Sequence, residues 1–302
     1  MISICIPCKD NQQSLNRTIR SIRETATEEH EIVVCDDGSD PPLKTDCKIV
    51  RHRNTVGVGA AIDTAVANSS YPVVAISGDD IVHKGKGWMS KCIVSSMLEP
   101  EAIFCSVTKG YNPYSEEFAE RSRYGASLII KADIEDIPLS KRFMYPNDWK
   151  MLYRSKWNHE PQEEVSTLLG AFYIVQRKWY NHLRGFEMHR HWGTLDSYIA
   201  MKSWLAGGSC KLMDDVVTGH VFKISGSRRP MDWFYYNKAL VTRTLFPGME
   251  DELLNYMSDK RMVQVGLDLL NSYRDKSYEL AYYFKDIFVH DYGWLKNKFN
   301  LK

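Results

Sequence analysis

The sequence predicts an α/β protein whose mostly parallel sheet is flanked by helices and followed by a helical C-terminal extension. Three observations carry that expectation. Short apolar runs over residues 2–8, 32–35 and 73–76 alternate with amphipathic segments through the first third of the chain, and such alternation implies parallel strands joined by right-handed crossovers. From Met231 onward the pattern is helical and aromatic. The 302 residues, 44% hydrophobic and 25% charged, have ordinary globular composition and suffice for one large domain or two small ones.

Residues 2–6 read as the first strand. A helix over 14–22 follows, with Leu15, Ile19 and Ile22 on one face and Ser14 placed to cap its N-terminus. Next come a strand over 31–35, an acidic turn over 36–42, a short strand over 48–51, a helix over 58–68 and a strand over 71–77. Ligands bind beyond the carboxyl ends of strands in such sheets, so the acidic turns at Asp36-Asp37 and Asp79-Asp80 face that crevice. Residues 109–161 are rich in Tyr, Arg, Glu, Pro and Trp with weak periodicity. They read as insertions and loops over a binding face, with a helix around 148–155. A strand over 166–175 and a helix over 195–206, ending at Gly207-Gly208, resume the series. Three helices over 231–246, 250–270 and 273–298 close the chain, with breaks at Pro247-Gly248 and Asn271.

The 39 basic and 38 acidic residues give a net charge of +1, so composition makes no general case for nucleic acid or a membrane surface. No apolar run approaches the ~20 residues needed to cross a bilayer. The N-terminus lacks the basic region and cleavage site of a signal peptide and reads as a core strand. Seven cysteines are an odd number, and the Cys5-x-x-Cys8 spacing has no second pair to complete a zinc site. Cys5 lies within a strand rather than opening a helix, unlike a redox thiol. Reduced thiols acting as small hydrophobes are expected.

Three motifs bear chemistry. A carboxylate of Asp36-Asp37, fixed at a strand end, can accept from a nucleobase imide N–H or a ribose hydroxyl, or simply form a solvated turn. In Gly78-Asp79-Asp80, two adjacent carboxylates after an apolar strand suit Mn²⁺ or Mg²⁺ bridging to a diphosphate. Otherwise one of them caps the next segment. His220 is either a satisfied histidine or an Mn²⁺ ligand, with Lys223 and Arg228-Arg229 nearby to neutralise phosphate.

Pro7, Asp36-Asp37-Gly38-Ser39, Asn54-Thr55-Val56-Gly57, Gly78-Asp79-Asp80 and Trp88 occur in an order that resembles family 2 glycosyltransferases of the Rossmann-like GT-A fold. A later block is more specific: Leu169-Gly170-Ala171-Phe172, Arg184-Gly185-Phe186, Trp192-Gly193-Thr194-Leu195-Asp196, Trp204-Leu205-Ala206-Gly207-Gly208 and Gly219-His220-Val221-Phe222-Lys223. It is similar to the catalytic half of polypeptide N-acetylgalactosaminyltransferases. The resemblance covers about residues 1–228, leaving 229–302 as a helical extension.

The resemblance implies a transferase moving a hexose or N-acetylhexosamine from a UDP-sugar, with the diphosphate held on Mn²⁺ or Mg²⁺. Asp80 and His220 match the metal ligands, and Asp36 and Asp37 the uracil and ribose contacts. Pro7, Asn54, Gly57, Asp79 and Trp192 join the donor-binding set, with Lys223 and Arg228 at the phosphates. Two positions depart from the pattern: Gly78 stands at the first D-x-D position, and Leu195-Asp196 replaces a Glu-Asn pair. In inverting members an aspartate near this position is the general base. At a helix start Asp196 is kept ionised and able to deprotonate an acceptor hydroxyl, or it is an ordinary helix-start carboxylate.

The acceptor expected is a saccharide, a lipid-linked sugar, a protein or a hydroxylated DNA base. For the last, Lys223, Arg228, Arg229, Lys238 and Arg243, with Trp233, Tyr235 and Tyr236, form a candidate patch, or else a solvated face over a core aromatic stripe. With no anchor, stem or lectin domain in the sequence, the expected setting is a bacterial or viral cytoplasm. Gly78 and Leu195 keep a second class open, a non-catalytic nucleotide-sugar binding protein on a degenerate GT-A scaffold.

Overall fold

The computed structural model describes residues 1–169, 172–222 and 230–301. In chain order it runs β1 (Ile2–Cys8), α1 (Gln12–Thr25), β2 (His30–Asp36), β3 (Lys48–Arg51), α2 (Val58–Ala67), β4 (Val73–Ser77), β5 (Ile81–His83) and α3 (Trp88–Leu98). Strands β6 (Ala102–Asn112), β7 (Glu117–Tyr124) and β8 (Ala126–Asp133) follow, then α4 (Leu139–Arg142), β9 (Lys150–Trp157), β10 (Phe172–Gln176) and α5 (Arg177–His182). Helix α6 (Leu195–Leu205) and β11 (Ser209–His220) complete the sheet region. The last helices are α7 (Met231–Leu245), α8 (Glu250–Tyr256), α9 (Lys260–Asn271), α10 (Arg274–Ile287) and α11 (Tyr292–Phe299).

The main sheet has the order β3-β2-β1-β4-β10-β6-β11-β5, with β7 also on β6. Strands β3, β2, β1 and β4 are parallel. Strand β10 enters antiparallel between β4 and β6, and β11 runs parallel to β6. Hence β4, β6 and β11 share one direction and end at one edge. Alternation along β1 sorts the two cores: Ile2, Ile4 and Ile6 pack with Leu15, Ile19 and Ile22 of α1 and with Trp88 of α3. Cys5 faces the other way, with α2, α6 and the terminal helices. Each fully buried Ile or Leu contributes about 1.5–3 kcal/mol. Burial pushes the Cys5 thiol up to about 12, as an inert core thiol requires. The core that contains Cys5 and Val33 also contains Tyr236, Leu240, Phe284 and Leu295, so the terminal helices pack into the same apolar interior.

Several expectations need correction. Residues 148–155 are not helical: β9 pairs with β8, whose residues alternate buried and half-buried, so sheet pairing overrides local pattern. The expected strand over 166–175 is shorter and later, at Phe172–Gln176. Helix α1 begins before Ser14, which is buried. The helices expected over 250–270 and 273–298 each divide, because the Asp259 and Asp291 side chains accept from Met262 and Trp294 N–H and start new helices. Lys238 and Arg243 are only 3% and 4% exposed, and Tyr235 and Tyr236 are buried beside them. Arg243 bonds Glu250, Ser277 and Asn271, so these two cations belong to the interior and not to a nucleic-acid groove. No described helix is long and apolar enough to cross a membrane.

Candidate active site

Strand β2 delivers Asp36 and Asp37 to the carboxyl edge of the sheet. Asp36 is buried, and its carboxylate accepts from Ser39 N–H at 2.9 Å, from Leu43 N–H at 3.1 Å and from the Arg51 guanidinium. Burial pushes this carboxyl up, but those donors outweigh it and hold it below its ordinary range. Asp37 fastens the neighbouring loop: Oδ1 accepts from Val56 N–H at 2.9 Å and meets His52 Nδ1 at 2.8 Å, while Oδ2 accepts from Gly57 N–H at 2.8 Å. Gly57, at φ +122°, runs so close to His191 that a Cβ would lie 2.1 Å from its backbone nitrogen. Only glycine fits there.

The turn after β4 carries Asp79 and Asp80, which point to different partners. Asp79 Oδ2 accepts from the Asn11 amide at 2.7 Å and the Cys8 thiol at 3.3 Å. Asp80 Oδ1 lies 3.4 Å from Nε2 of His220, the last residue of β11. Val221 N–H donates to the Asp80 carbonyl at 3.1 Å, which fixes the two segments together. Phe222 stands edge-on to the imidazole, 4.3 Å between centroids, and His220 Nδ1 is buried without a hydrogen-bond partner among the described residues. At 3.4 Å the Asp80–His220 approach is longer than a good hydrogen bond. A carboxylate oxygen with an imidazole nitrogen suits Mn²⁺ better than the harder Mg²⁺, which prefers oxygen ligands alone. No group of three or more His, Cys, Asp or Glu side chains converges among the described residues, so the donor set fits a cation that also takes oxygens from a ligand.

Asp196 lies in the first turn of α6, and its Oδ1 accepts from the Tyr173 phenol. Tyr173 is opposite Ile76 near the end of β4, which places Asp196 at the same edge as Asp80. The preceding loop is tightly held. Met188, His191, Gly193 and Thr194 all have positive φ, and a Cβ on Gly193 would lie 2.5 Å from the Phe234 ring. The buried Asn237 side chain accepts from Arg190 N–H at 3.1 Å and donates to the Arg190 and Trp192 carbonyls at 2.7 and 3.2 Å. Trp192, 45% exposed, stacks on Phe234 with 5.9 Å between centroids. Burial pushes His189 down to about 3, so it is a neutral imidazole whose Nε2–H donates to the Gly193 carbonyl, 2.6 Å away.

The structure thus brings Asp80 to His220 and gathers Asp36, Asp37 and Gly57 in one loop cluster. Pro7 is buried in β1 opposite Cys35, and Asn54 is exposed on the loop that Asp37 fastens. Lys223, Arg228 and Arg229 lie outside the described residues, as do Gly170 and Ala171. Tyr173, His52, Asn11, Phe234 and Asn237 are supports that sequence reading missed. Of these only Asn11 carried a local signal, a polar residue just before a helix.

A sequence model of the family described as "Glycosyl transferase family 2" matches residues 3–184. Human polypeptide N-acetylgalactosaminyltransferase 16 is 26% identical over 140 residues, 42% of this chain and 22% of that protein. Polypeptide N-acetylgalactosaminyltransferase 11 of Xenopus tropicalis is 24% identical over 254 residues, 76% of this chain and 39% of that protein. This chain therefore spans well under half the length of those relatives. Among solved structures, GalNAc-T7 with UDP, GalNAc and Mn²⁺ aligns over 99% of this chain and 57% of its own, with a TM-score of 0.67 and 12% identity. S. aureus TarS 1-349 with UDP-GlcNAc aligns over 85% of this chain and 70% of its own, with a TM-score of 0.53 and 13% identity. These likenesses show the GT-A fold. Because the matched segment makes up more than half of the sequence, this chain belongs to glycosyl transferase family 2.

Proposed function

We propose that this protein is a metal-dependent glycosyltransferase that moves a hexose or N-acetylhexosamine from a UDP-sugar to an acceptor hydroxyl with inversion. The observation that carries the reading is the meeting of Asp80 and His220, from distant parts of the chain, at the carboxyl edge of the sheet. UDP is the donor nucleotide by analogy with the ligands of the GalNAc-T7 and TarS structures. Bound there, Mn²⁺ or Mg²⁺ would neutralise the leaving diphosphate. The Asp36-Asp37 turn receives uracil and ribose. Asp37 holds the Val56–Gly57 loop beside that turn. Gly57 and Asn54 shape the adjoining loop, Pro7 and Asp79 the floor, and Trp192 a flat wall, with Lys223 and Arg228 assigned to the phosphates. Asp196 takes the proton of the acceptor hydroxyl as that oxygen bonds to the anomeric carbon. The bond from that carbon to the diphosphate breaks, and UDP leaves with the electron pair. The acceptor is a glycan, a protein or a modified DNA base.

UDP release from a panel of UDP-sugars, with and without Mn²⁺, tests the reading. Asp80→Ala and His220→Ala are each expected to lower Mn²⁺-dependent turnover by about 10²–10³-fold. Full activity in either variant, or in excess EDTA, overturns the metal assignment. Asp196→Asn is expected to bind UDP normally and transfer about 10²–10⁴-fold more slowly. A product with the donor's anomeric configuration, read by NMR coupling constants, would exclude inversion. Gly78 at the first D-x-D position and Leu195 in place of a glutamate favour one competing reading, a nucleotide-sugar binding protein without catalysis. UDP binding without any sugar release would select it.

A further inference from the structure

The strand that carries His220 also borders a second surface, on the side of the β6–β7 hairpin. Gly110 of β6 is the register partner of His220, and Thr108 is the partner of both Thr218 and Arg123. His220 and Arg123 therefore stand on one face of the sheet. On that face the Arg123 guanidinium lies 4.4 Å from the centroid of Phe222 and 5.5 Å from that of Trp157. Phe222 is the ring edge-on to His220. Beside it Gly110 and Ala119 are too small to fill the surface, leaving a shallow cavity of about 360 Å³ between the β6–β7 hairpin and Phe222. Charge on this face is one-sided. Arg121 contacts His159 at 3.1 Å, and among the described residues neither Arg121 nor Arg123 forms an ion pair with a carboxylate. Burial, with the like charge of Arg121 beside it, pushes Arg123 below its ordinary range. The acidic residue of the cavity, Glu117, is the register partner of Asn112 at the far end of the hairpin. A half-buried guanidinium with a cationic neighbour and no counter-ion is disfavoured until a ligand brings an anion.

We propose that this trough, together with Arg123 across Phe222 and the neighbouring Arg121, is the acceptor subsite and that it selects a saccharide bearing an anionic group, phosphate or carboxylate. The proposal rests on the glycosyltransferase reading, since the donor would approach from the Asp80–His220 side. A guanidinium fork matches either anion in two parallel hydrogen bonds. The small-residue floor and the Phe222 wall give a sugar ring a flat apolar contact while its hydroxyls stay in water. Two arginines do not make the extended cationic track that a nucleic-acid backbone needs, and the net charge of +1 adds no general attraction.

Isothermal titration in the presence of UDP and Mn²⁺ tests the idea with four probes: an oligosaccharide carrying mannose 6-phosphate, an oligogalacturonate, neutral maltoheptaose and a single-stranded oligodeoxynucleotide. At least one acidic saccharide is expected to bind about tenfold more tightly than maltoheptaose, and which one distinguishes phosphate from carboxylate. That preference should largely vanish in Arg123→Gln, weaken in the exposed-site variant Arg121→Gln, and partly return in Arg123→Lys. Equal binding of neutral and acidic saccharides, tightest binding of the oligonucleotide, or an unchanged preference in both glutamine variants overturns the proposal. Mn²⁺-dependent UDP binding by the wild-type protein, measured separately, reports on the donor assignment alone. Its loss would overturn that assignment and leave the saccharide preference to be read independently.

Discussion

Two acidic turns leave the same edge of the sheet, one after β2 and one after β4, and their carboxylates have different work. Asp36 and Asp37 are buried, and their oxygens accept from Ser39, Leu43, Val56 and Gly57 N–H groups within their own loops. Asp80 instead reaches across to His220, at a separation that leaves room for adjustment, beside an imidazole nitrogen that no described residue satisfies. The carboxylates of the first turn are held by backbone N–H groups, whereas Asp80 faces an imidazole brought in by β11. Identical side chains at equivalent places in a parallel sheet thus divide by partner: one turn braces nearby backbone, and the other meets a side chain from a distant strand.

The sharpest way to break this contrast is to compare stabilities. Asp37→Ala leaves the Val56 and Gly57 N–H groups without their acceptor, at a cost of about 2–6 kcal/mol. That is a large part of the stability of an ordinary domain, and urea unfolding would measure it. A smaller effect attaches to Asp36 and depends on pH. Its folded pKa lies below the unfolded value of about 3.9, so its contribution is fully present above that value and disappears as pH falls through the folded pKa. Asp36→Asn should therefore flatten the acid limb of the stability–pH curve, and an unchanged limb would remove Asp36 from the brace. The smallest expected effect belongs to Asp80→Ala, whose unfolding midpoint in metal-free buffer should stay within about 0.5 kcal/mol of wild type. A large loss there would make Asp80 a brace as well.

The sheet edge and its acidic turns were legible because strands β1, β2 and β4 are short, largely apolar runs followed closely by charged residues. Residues 148–155 were not, since the half-buried pattern of β9 has meaning only against β8, a partner distant in sequence. Asp80 and His220 were legible as a pair through the motif order, while the divergence of Asp79 toward Asn11 was not, because it depends on where α1 begins. Lys238 and Arg243 show the limit most plainly. A basic, aromatic helix reads as a surface stripe, but Lys238 donates to the Leu152 carbonyl and Arg243 to Glu250, and these buried partners appear only once the helices have packed.

The clasp of Asn237 on the Arg190 and Trp192 carbonyls sets an order of events during synthesis. Every strand of the main sheet precedes α7 in the chain, so the whole sheet is synthesised while the loop leading to Asp196 still lacks its anchor. Helix α9 then locks α7 in turn, with Gly266 so close to the Tyr235 backbone that a Cβ would lie 2.5 Å from its carbonyl carbon. The nascent chain would thus carry every strand of its sheet before the segment from Arg190 to Gly193 is held in place. A block to α9 docking would accordingly loosen α7 and, through Asn237, the segment that leads into α6.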